Sequence, residues 1–139
     1  MKLLLENTHV IWSHLSLNAN LKRGIDFIRD AENSKAIDFL LIALKEDEGN
    51  PEIFRNLGLA WYNLGNYEKA QNFWQKALDL DPHNHITWWS LGNLFESQKR
   101  YPEAYTAYLR AKKEANSQNN VEKAKRYQEW ANRLKDKLN

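Results

Sequence analysis

A period of 34 residues constrains the fold of this chain more than any other feature of its sequence. When the sequence is shifted by this period, large side chains fall on large ones and small side chains on small ones, across two units at 51–84 and 85–118. The matched pairs are Phe54 with Trp88, Leu57 with Leu91, Gly58 with Gly92, Trp61 with Phe95, Tyr67 with Tyr101, Ala70 with Ala104, Trp74 with Tyr108, and Ala77 with Ala111. This pattern is typical of a repeat protein, in which each unit packs mainly against its neighbours.

Each unit is predicted to form a pair of antiparallel helices. Within the first unit, Phe54, Leu57 and Trp61 recur at helical spacing and form one apolar stripe. A glycine inside a helix costs about 1 kcal/mol relative to alanine. Its recurrence, as Gly58 and again as Gly92, therefore indicates that two helices approach closely at this point.

Capping and turn residues predict where these helices begin and end. Asn50 and Asn84 are candidate N-caps, and Pro51 occupies the first helical position, where proline is tolerated. Asp81 precedes Pro82 and is therefore expected to lie outside a helix. The other breaks are predicted at a glycine turn, at a proline that starts a second helix and at a polar stretch: Gly65, Pro102 and 116–120.

The first unit resembles the tetratricopeptide repeat (TPR) over its full length. The resemblance is carried by Phe54, Leu57, Gly58, Trp61, Ala70, Trp74, Ala77 and Pro82. The second unit resembles the same signature, although Asn116 replaces its final proline. This resemblance implies an all-α fold, an α-solenoid of antiparallel helix pairs, in a protein that binds other proteins or peptides and is not an enzyme.

The remaining segments extend the repeat in both directions. We expect a single TPR domain over 1–139, made of an N-terminal helix, a degenerate TPR, two full TPRs and a capping helix: 1–16, 17–50, 51–84, 85–118 and 119–139. In the degenerate TPR, Asn20 and Arg23 replace a bulky residue and a leucine, so we expect it to be less tightly packed. The N-terminal helix is predicted either to cover the first repeat or to form a dimer contact.

Composition and charge bear on location and on the class of partner. The formal net charge of +2 does not predict a nucleic-acid or membrane surface, and no apolar run approaches the roughly 20 residues of a membrane span. The chain has no cysteine, which fits a cytoplasmic location. Residues 24–52 carry a net charge of −5 and residues 100–139 one of +5. We interpret the two charged segments as solvent-exposed faces. The alternatives are head-to-tail association of the protein and an acidic partner at the C-terminal end.

No catalytic or metal site emerges from the sequence. His83 and His85 lie two residues apart with Asp81 nearby, but no third ligand follows at a recognisable spacing. We therefore expect no cofactor and no metal. Aromatic residues occupy repeat core positions while basic residues cluster on the terminal helix, away from them, so we expect no nucleic-acid partner.

The TPR resemblance implies that a peptide binds in a concave groove lined by the first helix of each repeat. The face opposite the packed stripe carries Arg55, Asn56, Leu59, Tyr62, Asn63, Ile86, Trp89 and Asn93. Amide side chains both donate and accept, so the three asparagines are expected to hold a peptide backbone. Tyr62 and Trp89 would supply rigid apolar contact, and Arg55 would pair with a carboxylate.

One sub-class of TPR domains clamps acidic chaperone tails with lysine, asparagine and arginine side chains on these helices. Asn56 matches one clamp asparagine. The other clamp positions hold Leu21, Ile25, Ile86 and Ser90, so this clamp is not expected here.

The sequence thus predicts a scaffold or adaptor that binds a protein or peptide, in assembly of a larger complex. One alternative is a homo-oligomer that assembles through its end helices. Another is a nucleic-acid accessory protein that uses Lys123, Lys125 and Arg126. A regulatory subunit of an enzyme also stays open, since it would look like an adaptor at this level.

Overall fold

Helical spacing and capping residues produce an all-α chain, as the sequence predicts. The computed structural model describes the backbone of residues 2–139 and the side chains of residues 8, 11, 15 and 19–139. This part of the chain contains seven α-helices and no strand. The helices are α1 (Lys2–Arg29), α2 (Asn33–Glu46), α3 (Pro51–Asn63), α4 (Tyr67–Leu80), α5 (His85–Ser97), α6 (Tyr101–Ser117) and α7 (Val121–Arg133), followed by a 3₁₀ turn at Lys135–Lys137.

Two compact units divide the chain, Met1–Phe73 and Trp74–Asn139. In the first unit, α1 packs on α2 and α2 on α3, around a buried cluster of Leu21, Ala36, Ile37, Leu40, Ala43, Ile53, Leu57 and Ala60. In the second unit, α6 packs between α5 and α7. Its buried residues include Ala104, Tyr108, Ala111, Ala115, Ala124, Tyr127, Ala131 and Leu134.

The predicted helix ends at Asn50, Asp81 and Asn84 are confirmed, whereas the break predicted at 116–120 is shorter, since α6 runs to Ser117. The side-chain oxygen of Asn50 accepts a hydrogen bond from the Glu52 backbone N–H at 3.0 Å. Asn84 does the same for the Thr87 N–H at 2.9 Å. Helix α4 ends at Leu80, just before the Asp81–Pro82 pair. Each cap satisfies an N–H group that the helix itself leaves without a partner.

Helix α1 runs without a break through residue 16, where an N-terminal helix was expected to give way to the degenerate TPR. In the degenerate TPR, which was expected to be less tightly packed, α1 nevertheless approaches α2 closely at Gly24. A Cβ atom added to Gly24 would lie 2.6 Å from Cγ of Leu40, which is fully buried. The unusual Arg23 is exposed and lies over the Phe39 ring at 5.6 Å from its centre. Leu21 and Gly24 therefore supply the buried side of the packing, and Arg23 contacts α2 at the surface through Phe39.

A close approach at Gly92 is also confirmed. A Cβ atom added there would lie 2.4 Å from Cε1 of Tyr108, much closer than any real van der Waals contact. The Tyr108 hydroxyl lies 2.8 Å from Oδ1 of Asn93 and 2.7 Å from Oε2 of Glu96. Because these hydrogen bonds hold the ring across α5, only a residue without a side chain fits opposite it.

The turn inside each helix pair has the same backbone in all three copies. Ala31, Gly65 and Lys99 stand one period apart, and each has a left-handed backbone, with φ of 61°, 78° and 59°. In each turn the next residue donates its N–H to the carbonyl five positions back, at 2.8 to 3.0 Å. This is the Schellman ending of a helix, which normally uses glycine at the left-handed position.

Replacing Lys99 by glycine is expected to raise the free energy of unfolding by about 1 kcal/mol, because glycine adopts the left-handed backbone without steric cost. Lys113 is also exposed but lies inside α6. The Lys113→Gly variant should instead lose about 1 kcal/mol. Urea unfolding of both variants measures the difference, and a destabilised Lys99→Gly protein would contradict the assignment of strain to this turn.

Among the described residues, none of the helices combines the length and the apolar character needed to cross a bilayer.

Candidate functional site

The predicted site residues of the first unit lie along one side of α3. Arg55, Asn56 and Tyr62 are half-buried, while Leu59 and Asn63 are exposed. The ring of Tyr62 packs at 5.3 Å from the ring of Tyr67 on α4. This side of α3 therefore presents polar and apolar groups together at the surface of the unit.

The three asparagines already make internal hydrogen bonds. Nδ2 of Asn56 donates to the Glu52 carbonyl of its own helix at 2.9 Å. Nδ2 of Asn63 donates to Oδ1 of Asn33 at 3.0 Å. Oδ1 of Asn93 accepts a hydrogen bond from the Tyr108 hydroxyl at 2.8 Å. An amide has two donor hydrogens and an acceptor oxygen, so each side chain retains capacity for a ligand, but less than the sequence alone predicts.

In the second unit, the predicted residues of α5 pack against α7, the capping helix, which the sequence did not place in the peptide-binding groove. Ile86 and Trp89 line a cavity of about 120 Å³ together with four side chains of α7: Lys123, Arg126, Tyr127 and Trp130. Lys123 stands one repeat period after Trp89. The same offset that revealed the repeat could have shown that α7 occupies the place of a further first helix.

Aromatic rings form the wall of this cavity. The rings of Trp89 and Trp130 stack at 5.2 Å with an angle of 28° between their planes. Tyr108 and Tyr127 pack tilted against Trp130 at 5.8 and 6.2 Å. Nε1 of Trp89 is buried and has no hydrogen-bond acceptor among the described residues. Leaving such a donor without a partner costs about 1–3 kcal/mol.

Positive charge surrounds the cavity. Lys123 and Arg126 are exposed, and Nη2 of Arg126 lies 2.9 Å from Oε1 of Glu122. Both members of this ion pair are more than half exposed, so it is easily exchanged for another partner. Nδ1 of His85 lies 2.8 Å from the Tyr127 hydroxyl. Burial, and then the charge of Lys123, lower the pKa of His85.

Acidification is expected to destabilise the protein through His85. Its folded-state pKa lies below the ordinary value of 6.5, so the unfolded chain binds the proton more readily. Stability contributed by the neutral ring is complete above pH 6.5 and is lost as pH falls toward the folded-state pKa. Urea midpoints at about pH 7.5 and about pH 5.5 should therefore differ more for the wild type than for His85→Gln. Equal differences in the two proteins would contradict this.

The neighbouring His83 serves a different contact. Glu114 is almost fully buried and lies 3.0 Å from Nδ1 of His83 and 3.0 Å from Nε of Arg110. Burial alone would raise the pKa of Glu114, but His83 and Arg110 together outweigh it and lower that pKa. His83 and His85 thus contact separate partners. In residues 2–139 as far as they are described, no group of three or more histidine, aspartate and glutamate side chains could hold a metal ion.

The reason for expecting no nucleic-acid partner was wrong. Basic side chains do lie beside aromatic rings: Lys69 is 4.1 Å from the centre of the Trp61 ring, and Arg110 is 5.3 Å from that of Trp88. Lys123 and Arg126 share a cavity with Trp89. The sequence shows that the basic and the aromatic residues lie on different helices. It could not show that those helices pack side by side.

Comparisons with known proteins agree with the helix pairs. A family profile described as "Tetratricopeptide repeat" matches residues 51–84. Tetratricopeptide repeat protein 37 of Xenopus laevis is 30% identical over 93 residues, which are 66% of this chain. The chain spans only 6% of the length of that curated relative.

Solved structures show the same fold. The Sgt2 TPR domain from Aspergillus fumigatus is 28% identical and superposes with a TM-score of 0.68, covering 84% of this chain and 82% of that one. The type III secretion chaperone SycD of Yersinia enterocolitica is 15% identical with a TM-score of 0.80, covering 88% and 95% of the two chains. Repeating helix pairs, repeated turns and these matches lead to one conclusion: residues 51–84 are a tetratricopeptide repeat, in a chain that has the fold of tetratricopeptide repeat proteins.

Proposed function

We propose that this protein is a protein-interaction adaptor that binds extended segments of a partner on its first helices, in assembly of a larger complex in the cytoplasm. The observation that carries the proposal is the exposure of large apolar side chains on these helices. Leu59 is 38% and Ile86 is 51% exposed, next to half-buried Tyr62 and Trp89. Solvent-exposed aliphatic groups beside rigid aromatic rings and amides suit recognition of a peptide.

A structural neighbour supports the same type of ligand. The SycD structure was solved in complex with a peptide of the translocator YopD. Its identity to this chain is low, so the comparison supports the class of ligand and not its sequence. Arg55, Asn56, Leu59, Tyr62 and Asn63 belong to the first unit, and Ile86, Trp89 and Asn93 to the second. Each set is proposed as a binding surface in its own right.

Affinity capture from the native cell extract tests this proposal. The Leu59→Ser/Ile86→Ser variant removes the two apolar side chains of the proposed surfaces. The matched control is Leu64→Ser/Leu80→Ser, which removes leucines that are 46% and 48% exposed but are not on those surfaces. A partner held by the wild type and the control but lost by the first variant is the expected result. A partner held equally by all three would reject these surfaces.

Self-assembly is a second candidate. Ile11 and Leu15 on α1 are each 56% exposed, and the acidic and basic stretches of the chain have opposite net charge. Light scattering over a range of protein concentrations tests it. A mass that rises with concentration, and falls back in the Ile11→Ser/Leu15→Ser variant, would favour self-assembly over a monomeric adaptor.

A further inference from the structure

The cavity between α5 and α7 has the size of a site for one side chain. At about 120 Å³ it is far smaller than a pocket for a drug-sized molecule. It lies within the second unit, and all six lining side chains are described. An extended peptide could therefore place one residue into it while neighbouring residues lie along α5.

The charge of the cavity lining determines which kind of partner side chain can bind there. Two of the six lining side chains, Lys123 and Arg126, are basic, and none is acidic. Nearby Glu96 is turned toward the Tyr108 hydroxyl at 2.7 Å, and Glu122 meets Arg126 only in an exposed ion pair. A carboxylate entering the cavity would be free to take Arg126 as a partner and to approach Lys123. Such charge-assisted hydrogen bonds are about twice as strong as neutral ones.

The apolar side chain at the mouth of the cavity determines which residue of the peptide fits next to the acidic one. Ile86 is exposed at the mouth of the cavity, beside the ring of Trp89. An aliphatic or aromatic side chain next to the acidic one would cover this isoleucine. The rings of Trp89 and Trp130 stack on each other, and Arg133 lies 5.8 Å from the centre of the Trp130 ring. Because these contacts cover part of the ring surface of Trp89 and Trp130, the site favours a peptide over a nucleobase, which needs an open ring face.

We propose that the cavity of Ile86, Trp89, Lys123, Arg126, Tyr127 and Trp130 binds one acidic side chain of the partner, flanked by an apolar residue that packs on Ile86. This site rests on the proposed function, since it assigns a chemistry to the segment bound there. It differs from the chaperone-tail clamp, because the clamp positions of α5 hold the uncharged Ile86 and Ser90. The positive charge comes instead from α7.

A display library of random-sequence peptides, each embedded in a carrier protein so that no free C-terminal carboxylate is present, tests the proposal. Three proteins are compared: the wild type, Lys123→Gln/Arg126→Gln, and the control Lys125→Gln/Lys135→Gln. The control removes the same charge from exposed residues that do not line the cavity. Wild type and control should enrich peptides with aspartate or glutamate next to an apolar residue. The Lys123→Gln/Arg126→Gln protein should bind the selected peptides at least about tenfold more weakly.

The other outcomes separate this inference from the proposed function. Peptides enriched without acidic residues would overturn the acidic site but leave peptide binding intact. An acidic preference that survives Lys123→Gln/Arg126→Gln would overturn it as well, because the acid would be bound elsewhere. Failure to enrich any peptide would reject peptide binding and the acidic site together. A single-stranded oligonucleotide is also tested as a competitor. If it displaces the selected peptides, and if its own binding needs Lys123 and Arg126, the cavity would be assigned to nucleic acid instead.

Discussion

Replacing Gly92 by leucine is expected to lower the free energy of unfolding by about 3 kcal/mol or more, since overpacking of a close contact costs about 1–3 kcal/mol and sometimes more. Even the first added carbon would lie 2.4 Å from the Tyr108 ring. The ring cannot move aside without losing the hydroxyl contacts to Asn93 and Glu96. Alanine at this position should cost less than leucine but should still destabilise, although alanine is the better helix former.

Gly49 provides the control for this experiment. A Cβ atom added there has only a carboxylate oxygen of Asp47 nearby, at 3.8 Å. Gly49→Leu should therefore change the free energy of unfolding by less than about 0.5 kcal/mol, as is usual for surface substitutions. Urea unfolding of both leucine variants gives the comparison. Equal stability of the two would show that α5 and α6 are not in contact at Gly92 in solution.

The Leu57→Ala substitution should cost about 2–5 kcal/mol, the range for removing a leucine side chain from a packed core. Leu57 is fully buried on α3 in the cluster of the first unit. Leu40 is equally buried in that cluster, on α2 of the degenerate TPR. The structure therefore predicts that Leu40→Ala costs as much as Leu57→Ala, whereas the sequence pattern predicts a smaller loss.

Leu41 is the matched control for both, because it follows Leu40 on the same helix and is 41% exposed. Leu41→Ala should cost less than about 1 kcal/mol, as little apolar surface is removed from contact. Thermal or urea unfolding of the three alanine variants ranks them. A Leu40→Ala protein as stable as Leu41→Ala would show that the degenerate TPR is loosely packed after all.

The repeat made the central helix pairs predictable from sequence. Gly58 and Gly92, one period apart, indicated the close helix contact, and the structure places the Tyr108 ring against Gly92. Asn50 and Asn84 act as the predicted caps. These features follow from local residue types, so a single sequence carries them. Packing of the degenerate TPR was harder to predict, because Asn20 and Arg23 stand at expected core positions, whereas the buried residue of this turn is Leu21.

The candidate site was only half predictable. Ile86 and Trp89 followed from the helical face of α5, but Lys123, Arg126 and Trp130 were assigned to a capping helix and not to the peptide-binding face. Which side chains share a cavity depends on how two helices pack, and the spacing of residues along one helix does not contain that information. The internal bonds of Asn56, Asn63 and Asn93 were missed for the same reason.

The left-handed turn inside each helix pair has a consequence for how such chains diverge. Only one of its three copies still carries glycine; the others tolerate alanine and lysine at a cost of about 1–2 kcal/mol each. A duplicated repeat can therefore lose its recognisable residues one substitution at a time while the hydrogen bonds of the turn keep the backbone unchanged. The helix pair can then persist after its sequence signature has weakened, and the family profile matches 51–84, the copy that has glycine at this turn.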